Sequence, residues 1–406
     1  MIKEGGMMLK YEDAKKIILN CFNEVKTNSI NVIESFSYVL AEDIVTTREY
    51  PDTKKSAVDG FAIKGLDRNS YIIVNTFSPG MQVDINLEKG EAAFVMTGAV
   101  VPENADAVVR VEDCVIYGNT VTVNCNVTNG MNINNIGEEA SINQHVVTKG
   151  VLIDERIYPV LCYLGLKEVK VYEKPKVGIF TTGNEILEPG KDYRKGFVYN
   201  TNRYIAESFL KKLGIPYEYY GNIIDDENSV FNAFAEMTEK YDIIISSGGI
   251  SMGKYDFVKK VLNDKKFDIV VNKTKIKPGS PLLVAKNNNC MIFGMPGYPA
   301  AFFTNFVLYL LPFIKKACGF RDFENKVVDV ILKDDMYSKK SSDYFNRATI
   351  KYENGNFLAY GACSQKTSHF INFAKVNGFV RIKEGVGDLK AGAKCEGLIF
   401  NFESIL

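Results

Sequence analysis

Tryptophan is absent from the 406-residue chain, and histidine occurs only twice, at His145 and His369. Two imidazoles are too few for a His-rich zinc site or a conventional histidine-based hydrolase, so general acid and base work falls to carboxylates and lysines. Net charge is lacking too: 49 Lys and Arg balance 49 Asp and Glu. Nothing global then draws the chain to nucleic acid or an anionic membrane, and any anionic ligand must be held by a local site. The eight cysteines (Cys21, Cys114, Cys125, Cys162, Cys290, Cys318, Cys363, Cys395) include no C-x-x-C pair. That disfavours metal clusters and disulfide frameworks and fits a reducing cytosol. Long apolar runs are missing as well. The most apolar stretch, Ala300 to Ile314, falls short of the ~20 residues that span a bilayer. Thr304, Asn305 and Pro312 interrupt it, so it reads as a buried core helix. The N-terminus has charge but no apolar run after it and is not a secretory signal.

What is present divides the chain into regions of different period. At roughly 100–200 residues per domain the length allows about two to four domains. Residues 1–27 contain an opening helix, Tyr11 to Val25, with Ala14, Ile17, Ile18, Cys21, Phe22 and Val25 on one face, expected to pack on the central domain. Residues 28–175 alternate short β-rich runs with Gly, Asn and Pro turns, a β-rich region of two subdomains, one about 47–145. From 176 to 320 apolar strands alternate with amphipathic helices, which predicts a doubly wound, mostly parallel sheet with its ligand site beyond the carboxyl ends of the strands. Residues 325–406 return to strands and turns and predict a C-terminal β-barrel or sandwich.

Several segments place small residues beside carboxylates or lysines where a strand ends. Ser246-Ser247-Gly248-Gly249-Ile250-Ser251-Met252-Gly253 follows the predicted strand Asp242–Ser246 and precedes a helix. Its glycines let backbone approach a ligand, and the free amides of a turn and a helix N-terminus favour phosphate or another oxyanion. It matches neither the dinucleotide fingerprint nor a P-loop, which disfavours nicotinamide and ordinary ATPase chemistry. Thr181-Thr182-Gly183-Asn184-Glu185 ends the first strand of the same sheet and belongs on the same rim. A glutamate facing an anion needs a metal or a proton between them, so Glu185 with Asp242 or Asp256 is a candidate Mg²⁺ set; a helix-capping Glu185 is the competing reading. Lys275-Ile276-Lys277-Pro278-Gly279-Ser280-Pro281 sets two lysines in extended alternation, toward one side, for a phosphate or for a solvated edge. Gly294-Met295-Pro296-Gly297-Tyr298-Pro299 opens the apolar helix, with Pro299 suited to its first turn. In the β-rich region Ser56–Ala62 and Met96–Pro102, followed by Ala105–Glu112, look unlike scaffold, although Asp59-Gly60 alone would be an ordinary hairpin turn.

Taken in order, these segments resemble the molybdopterin molybdenumtransferase family, the MoeA proteins and the gephyrin E domain, over nearly the whole chain. The family pattern runs S-x-x-D-G-[YF]-A, then M-T-G-A-x-x-P with a following A-D-x-V-V and Glu, then T-G-x-E, S-S-G-G-x-S-x-G with an Asp three residues on, K-P-G-x-P and P-G-x-P. Several motifs in one fixed order are far more specific than any one alone.

The resemblance implies a multidomain α/β plus β protein and an elongated homodimer. Its active cleft would lie between the α/β domain of one subunit and the β domain carrying Ser56–Ala62 of the other. It implies a Mg²⁺-dependent cytoplasmic transferase of molybdenum cofactor synthesis, which takes adenylyl-molybdopterin and molybdate and releases AMP, with no nucleic-acid or membrane partner. Carried over by motif, Asp59, Glu185, Asp242 and Asp256 would be catalytic, the last three on the metal. Thr97, Ser247, Gly248, Gly249, Ser251, Lys275, Lys277 and Pro296 would bind substrate. Two other readings compete: a non-catalytic paralogue that holds molybdopterin or a nucleotide, and a molybdopterin adenylyltransferase, which leaves the β-rich arms unexplained. The chain departs from the family at Ser280, where a lysine is usual, at Tyr298, Asn184 and Lys254-Tyr255, and at Cys363-Ser364-Gln365, which replaces a glycine-rich turn; Arg347 fits the family's barrel motif.

Overall fold

The computed structural model describes residues 8–21, 25–224, 226–249, 257–264, 267–287 and 290–400. The chain forms two compact units, one of residues 43–148 and one of the segments on either side of it.

The larger unit is built on a six-stranded sheet in the order Tyr217–Ile223, Val177–Thr182, Ile243–Ser247, Met291–Met295, Leu283–Lys286, Asp268–Asn272. The first four strands are parallel, as the alternating pattern predicts; Leu283–Lys286 runs antiparallel to them, and the edge strand Asp268–Asn272 pairs antiparallel to it and so runs with the first four. Strand residues alternate between two cores because side chains point to opposite faces in turn. Ile243 and Ile245 pack with the helices Tyr11–Asn20, Thr201–Lys212 and Pro299–Ala317, while Ile244 packs with Glu227–Lys240 and Phe257–Asp264. The opening helix ends at Asn20, earlier than the expected Val25, and buries Tyr11, Ala14, Ile18 and Leu19.

Pro299–Ala317 is long and apolar enough to cross a membrane, but most of it is buried inside this unit, so it is a core helix as expected. Its middle, Phe306–Leu310, is a π-turn, and the Leu311 N–H reaches back to the Phe306 carbonyl. The next bond of that ladder would run from residue 312 to the Val307 carbonyl, but Pro312 has no N–H to give. Asn325 Nδ2 supplies the missing donor to Val307 O at 2.8 Å. The helix therefore runs on through a proline that would otherwise leave a buried carbonyl unpaired.

The C-terminal strands Lys326–Leu332, Asp343–Glu353, Asn356–Gly361, Gly378–Ile382 and Lys394–Ile399 close into a barrel, because Gly378–Ile382 pairs with both Lys394–Ile399 and Asp343–Glu353. The strand Asn356–Gly361 is absent from the sequence expectation; it returns from an Asn354-Gly355 turn in which both residues have positive φ. The smaller unit holds a six-stranded sheet in the order Ala107–Arg110, Gly60–Ile63, Glu91–Val95, Ser70–Phe77, Thr120–Val123, Cys114–Tyr117.

Candidate active site

Four loops leave one rim of the larger sheet. Thr181 pairs with Ser247 and Ser247 with Met295, so the segments after them, Gly183–Glu185, Gly248-Gly249 and Pro296–Tyr298, stand side by side. Leu283 pairs with Gly294 and Asn272, which brings the loop 273–282 with Lys275 and Lys277 to the same edge. This is the rim that parallel-sheet topology reserves for ligands.

Glycine is required where the loops cross. Gly248 has φ +95°, and a Cβ there would lie 2.7 Å from Thr182 Oγ1 and 2.9 Å from Thr182 O. Its N–H donates to Met295 O at 3.0 Å, so Gly248 is committed to the scaffold. The cradle's open amide is that of Gly249, which donates to no acceptor among the described residues. Ser247 is buried, and its Oγ accepts from Asn202 Nδ2 at 2.7 Å. The same amide donates to Gly297 O at 2.8 Å, so one asparagine in the first turn of Thr201–Lys212 ties two rim loops together. Asn202 Oδ1 is buried without a partner among the described residues, an orphan acceptor at the junction of the loops. Pro296 is buried beneath the rim. The loop 273–282 is pinned by Asn305 Nδ2 to Pro281 O at 2.9 Å.

Glu185 is exposed on this rim, and among the described residues its carboxylate makes no hydrogen bond or ion pair. It does not cap a helix: the short strand Ile186–Leu187 follows it, and Asn200 caps the next helix by accepting from Arg203 N. The neighbouring carboxylates are committed. Glu188 accepts from Asn200 Nδ2 at 2.8 Å, Tyr204 OH at 2.9 Å and Arg203 Nη1 at 3.0 Å. Asp226, beyond the edge strand Tyr217–Ile223, caps Glu227–Lys240 by accepting from Ser229 N at 3.0 Å. Ser229's hydroxyl, and after it its amide, hold the Asp226 carboxyl below its ordinary range. Sequence reasoning passed over Asn202, Glu188 and Asp226; the place of each after a parallel strand is the signal that would have found them.

Asp242, expected in the site, lies away from it. It precedes Ile243–Ser247 and so lies at the opposite rim, about 16 Å from Ser247 at ~3.3 Å per strand residue. There its Oδ2 accepts from Lys176 N at 2.8 Å, fixing the entry of the neighbouring strand. Asp242→Ala is expected to cost about 1 kcal/mol of stability in urea unfolding, the worth of one such bond, and to leave turnover unchanged. A collapse of turnover without a loss of stability would restore the sequence assignment. Asp256 and Ser251 lie outside the described residues.

The two lysines also differ. Lys275 Nζ is 3.1 Å from Glu384 Oε1 of the barrel, whereas Lys277 is exposed with no partner among the described residues. In the smaller unit Asp59 and Thr97 do come together: Asp59 Oδ1 accepts from Thr97 N at 2.6 Å and from Thr97 Oγ1 at 3.0 Å. Those two bonds, the backbone one first, hold the Asp59 carboxyl below its usual range, so it stays anionic into mild acid. Asp59-Gly60 is not a hairpin turn. It opens the strand Gly60–Ile63, and Gly60 is needed because a Cβ would sit 2.1 Å from Val109 O.

The expected trio of Mg²⁺ carboxylates does not assemble, since Asp242 is on the far rim, and the described residues contain no group of three metal-ligating side chains. A Mg²⁺ that arrives on substrate phosphates needs only one or two protein carboxylates, and uncommitted Glu185 fits that requirement.

Three family models match the chain in order: the MoeA N-terminal region (domain I and II) over residues 9–165, the probable molybdopterin binding domain over 178–316 and the MoeA C-terminal region (domain IV) over 329–400. The chain belongs to the MoeA family. Proteins named molybdopterin molybdenumtransferase are similar over 400 residues, at 29% identity in Staphylococcus aureus (strain Mu50) and 28% in Staphylococcus epidermidis (strain ATCC 12228), covering 97% of this chain and 96% of each relative. Two solved structures of the molybdopterin biosynthesis MoeA protein from Pyrococcus horikoshii match with TM-scores of 0.81 and 0.79 at 26% and 27% identity, over 97% of this chain and 100% of theirs. The rim loops fall within the family's central region, Asp59 and Thr97 within its N-terminal region and Glu384 within its C-terminal region.

Proposed function

We propose that this protein inserts molybdenum into molybdopterin, acting as a molybdopterin molybdenumtransferase in molybdenum cofactor synthesis. The observation that carries the reading is the rim itself, where the Gly249 amide, Lys277 and Glu185, each without a partner among the described residues, stand at one edge of the sheet. That set suits an anionic substrate handled without imidazole.

In finer detail, the substrates are adenylyl-molybdopterin and molybdate, and AMP is released. The Gly249 amide and Lys277 bind phosphate oxygens and carry the charge that develops as AMP departs. Glu185 would hold Mg²⁺, and the ion would supply the neutralisation of phosphate charge that otherwise repels the glutamate. Two chains form a homodimer in which Asp59 and Thr97 of one subunit face the rim of the other. All eight cysteines are free thiols, which supports work in the reducing cytosol.

Incubation of the purified protein with adenylyl-molybdopterin, Mg²⁺ and molybdate should yield AMP and active cofactor; tight binding with neither product would overturn the transferase reading. The shared cleft has its own test. A mixed dimer with Asp59→Asn on one subunit and Glu185→Gln on the other should keep one working site, because both lesions then fall in a single cleft. If each subunit used only its own residues, both sites would be dead.

A further inference from the structure

We propose that Glu384 is a positioning residue for the anion site, a barrel carboxylate that holds Lys275 at the rim and yields it to an incoming diphosphate. The proposal rests on the reading of the rim as an anion site and adds to it the group that sets how available one of its cations is.

The Lys275–Glu384 pair is fixed from both sides by a single residue. Asp343, in the long barrel strand, donates its N–H to Lys275 O at 3.0 Å and accepts from Glu384 N at 2.8 Å through its Oδ1. Its other oxygen accepts from both Arg381 Nε at 2.9 Å and Nη2 at 2.6 Å, so that with Glu384 N on Oδ1 both carboxylate oxygens are held. The backbone of each ionic partner is thus tied to one rigid group, and the two side chains meet with little conformational freedom left to lose.

Exposure separates the holding pair from the yielding one. Arg381 and Asp343 are each 12% exposed, whereas Lys275 and Glu384 are 30% and 29% exposed. A partly exposed single-contact pair is weak and open to competition by a stronger anion, while the buried pair, joined by two hydrogen bonds, is not. Glu384 also has an alternative cation, since Lys10 Nζ lies 3.9 Å from its second oxygen. When a diphosphate takes Lys275, Glu384 is left with a partner. Lys277, two residues on, has no such restraint among the described residues, so the two lysines of the motif are available to different degrees.

Titration of the full-length protein with inorganic pyrophosphate by calorimetry tests this, using wild type, Glu384→Gln, Lys275→Met and the double variant. Glutamine keeps the backbone bond to Asp343 and removes only the competing charge. Glu384→Gln should bind pyrophosphate about threefold to fivefold more tightly, the scale of competition from one partly exposed pair, and the gain should shrink as salt rises. Lys275→Met should weaken binding, and in its background Glu384→Gln should have no effect. An unchanged or weaker Glu384→Gln beside a weakened Lys275→Met would overturn the proposal and leave the anion site standing. A gain that persists without Lys275 would also overturn it, by showing that Glu384 acts through another cation. Wild type that binds no pyrophosphate would instead remove the anion site itself. A purely structural Glu384 would shift the unfolding midpoint and leave the Lys275-dependent gain absent.

Discussion

Replacing Glu185 by glutamine is expected to lower the rate of AMP release by about two orders of magnitude or more, while the unfolding midpoint stays where it is. The two halves of that expectation have separate causes. The carboxylate touches no donor among the described residues, so the fold loses no hydrogen bond or ion pair when its charge is removed. Among the described residues it is also the uncommitted carboxylate beside two that are occupied, Glu188 by Asn200, Tyr204 and Arg203 and Asp226 by its helix. Neither can take over its work without breaking a bond it already makes. On the proposed metal role, binding of adenylyl-molybdopterin should depend on Mg²⁺ in the wild type and lose that dependence in the variant, because glutamine is a poorer ligand for a hard cation. Wild-type turnover and wild-type Mg²⁺ dependence together would place the metal-linked chemistry on other residues.

The fold was legible where period alone decides it. Residues 227–240 repeat at helical spacing and form a helix with those same bounds, and the strands through Phe180, Ile244 and Ile292 are apolar runs buried on both faces. The strand Asn356–Gly361 was not, because Asn-Phe-Leu-Ala-Tyr-Gly alternates weakly and is held by neighbours on both sides rather than by its own pattern. The site was legible as motifs and illegible as partnerships. Asp242 and Ser247 are five positions apart and look like one cluster, yet an extended chain carries them to opposite edges of the sheet. Lys275 looks as open as Lys277, but its counter-ion is 109 positions away, in the turn after the barrel strand Gly378–Ile382, beyond the reach of any local reading. Asn202 reads as a polar residue in a first helical turn; only the packing of that turn against two loops makes it their tie.

Arg347 carries the largest stability effect that we expect. Its side chain is fully buried in the barrel, and no carboxylate pairs with it among the described residues. Instead the guanidinium plane donates into a loop: Nη1 to His369 O at 2.5 Å and Asn372 Oδ1 at 3.2 Å, Nη2 to Ser364 O at 2.8 Å and Lys366 O at 2.9 Å. Gln365 completes the clasp, accepting from Arg347 N at 2.9 Å and donating to Arg347 O at 2.9 Å. Burial lowers the arginine's pKa, so the fold bears a desolvation cost that these bonds must offset. Lysine offers three donors at one point and cannot satisfy a planar fan of acceptors set on several sides. Arg347→Lys should therefore destabilise the barrel by about 3 kcal/mol, and Arg347→Met by at least as much, since buried carbonyls are then left unpaired. The loss should appear first as protease cleavage and fast amide exchange over 363–372, before the barrel strands open, because the arginine binds that loop to the strand Asp343–Glu353. Wild-type protection of 363–372 in Arg347→Met would show that the loop is held by its own contacts and that the buried cation serves something other than the fold.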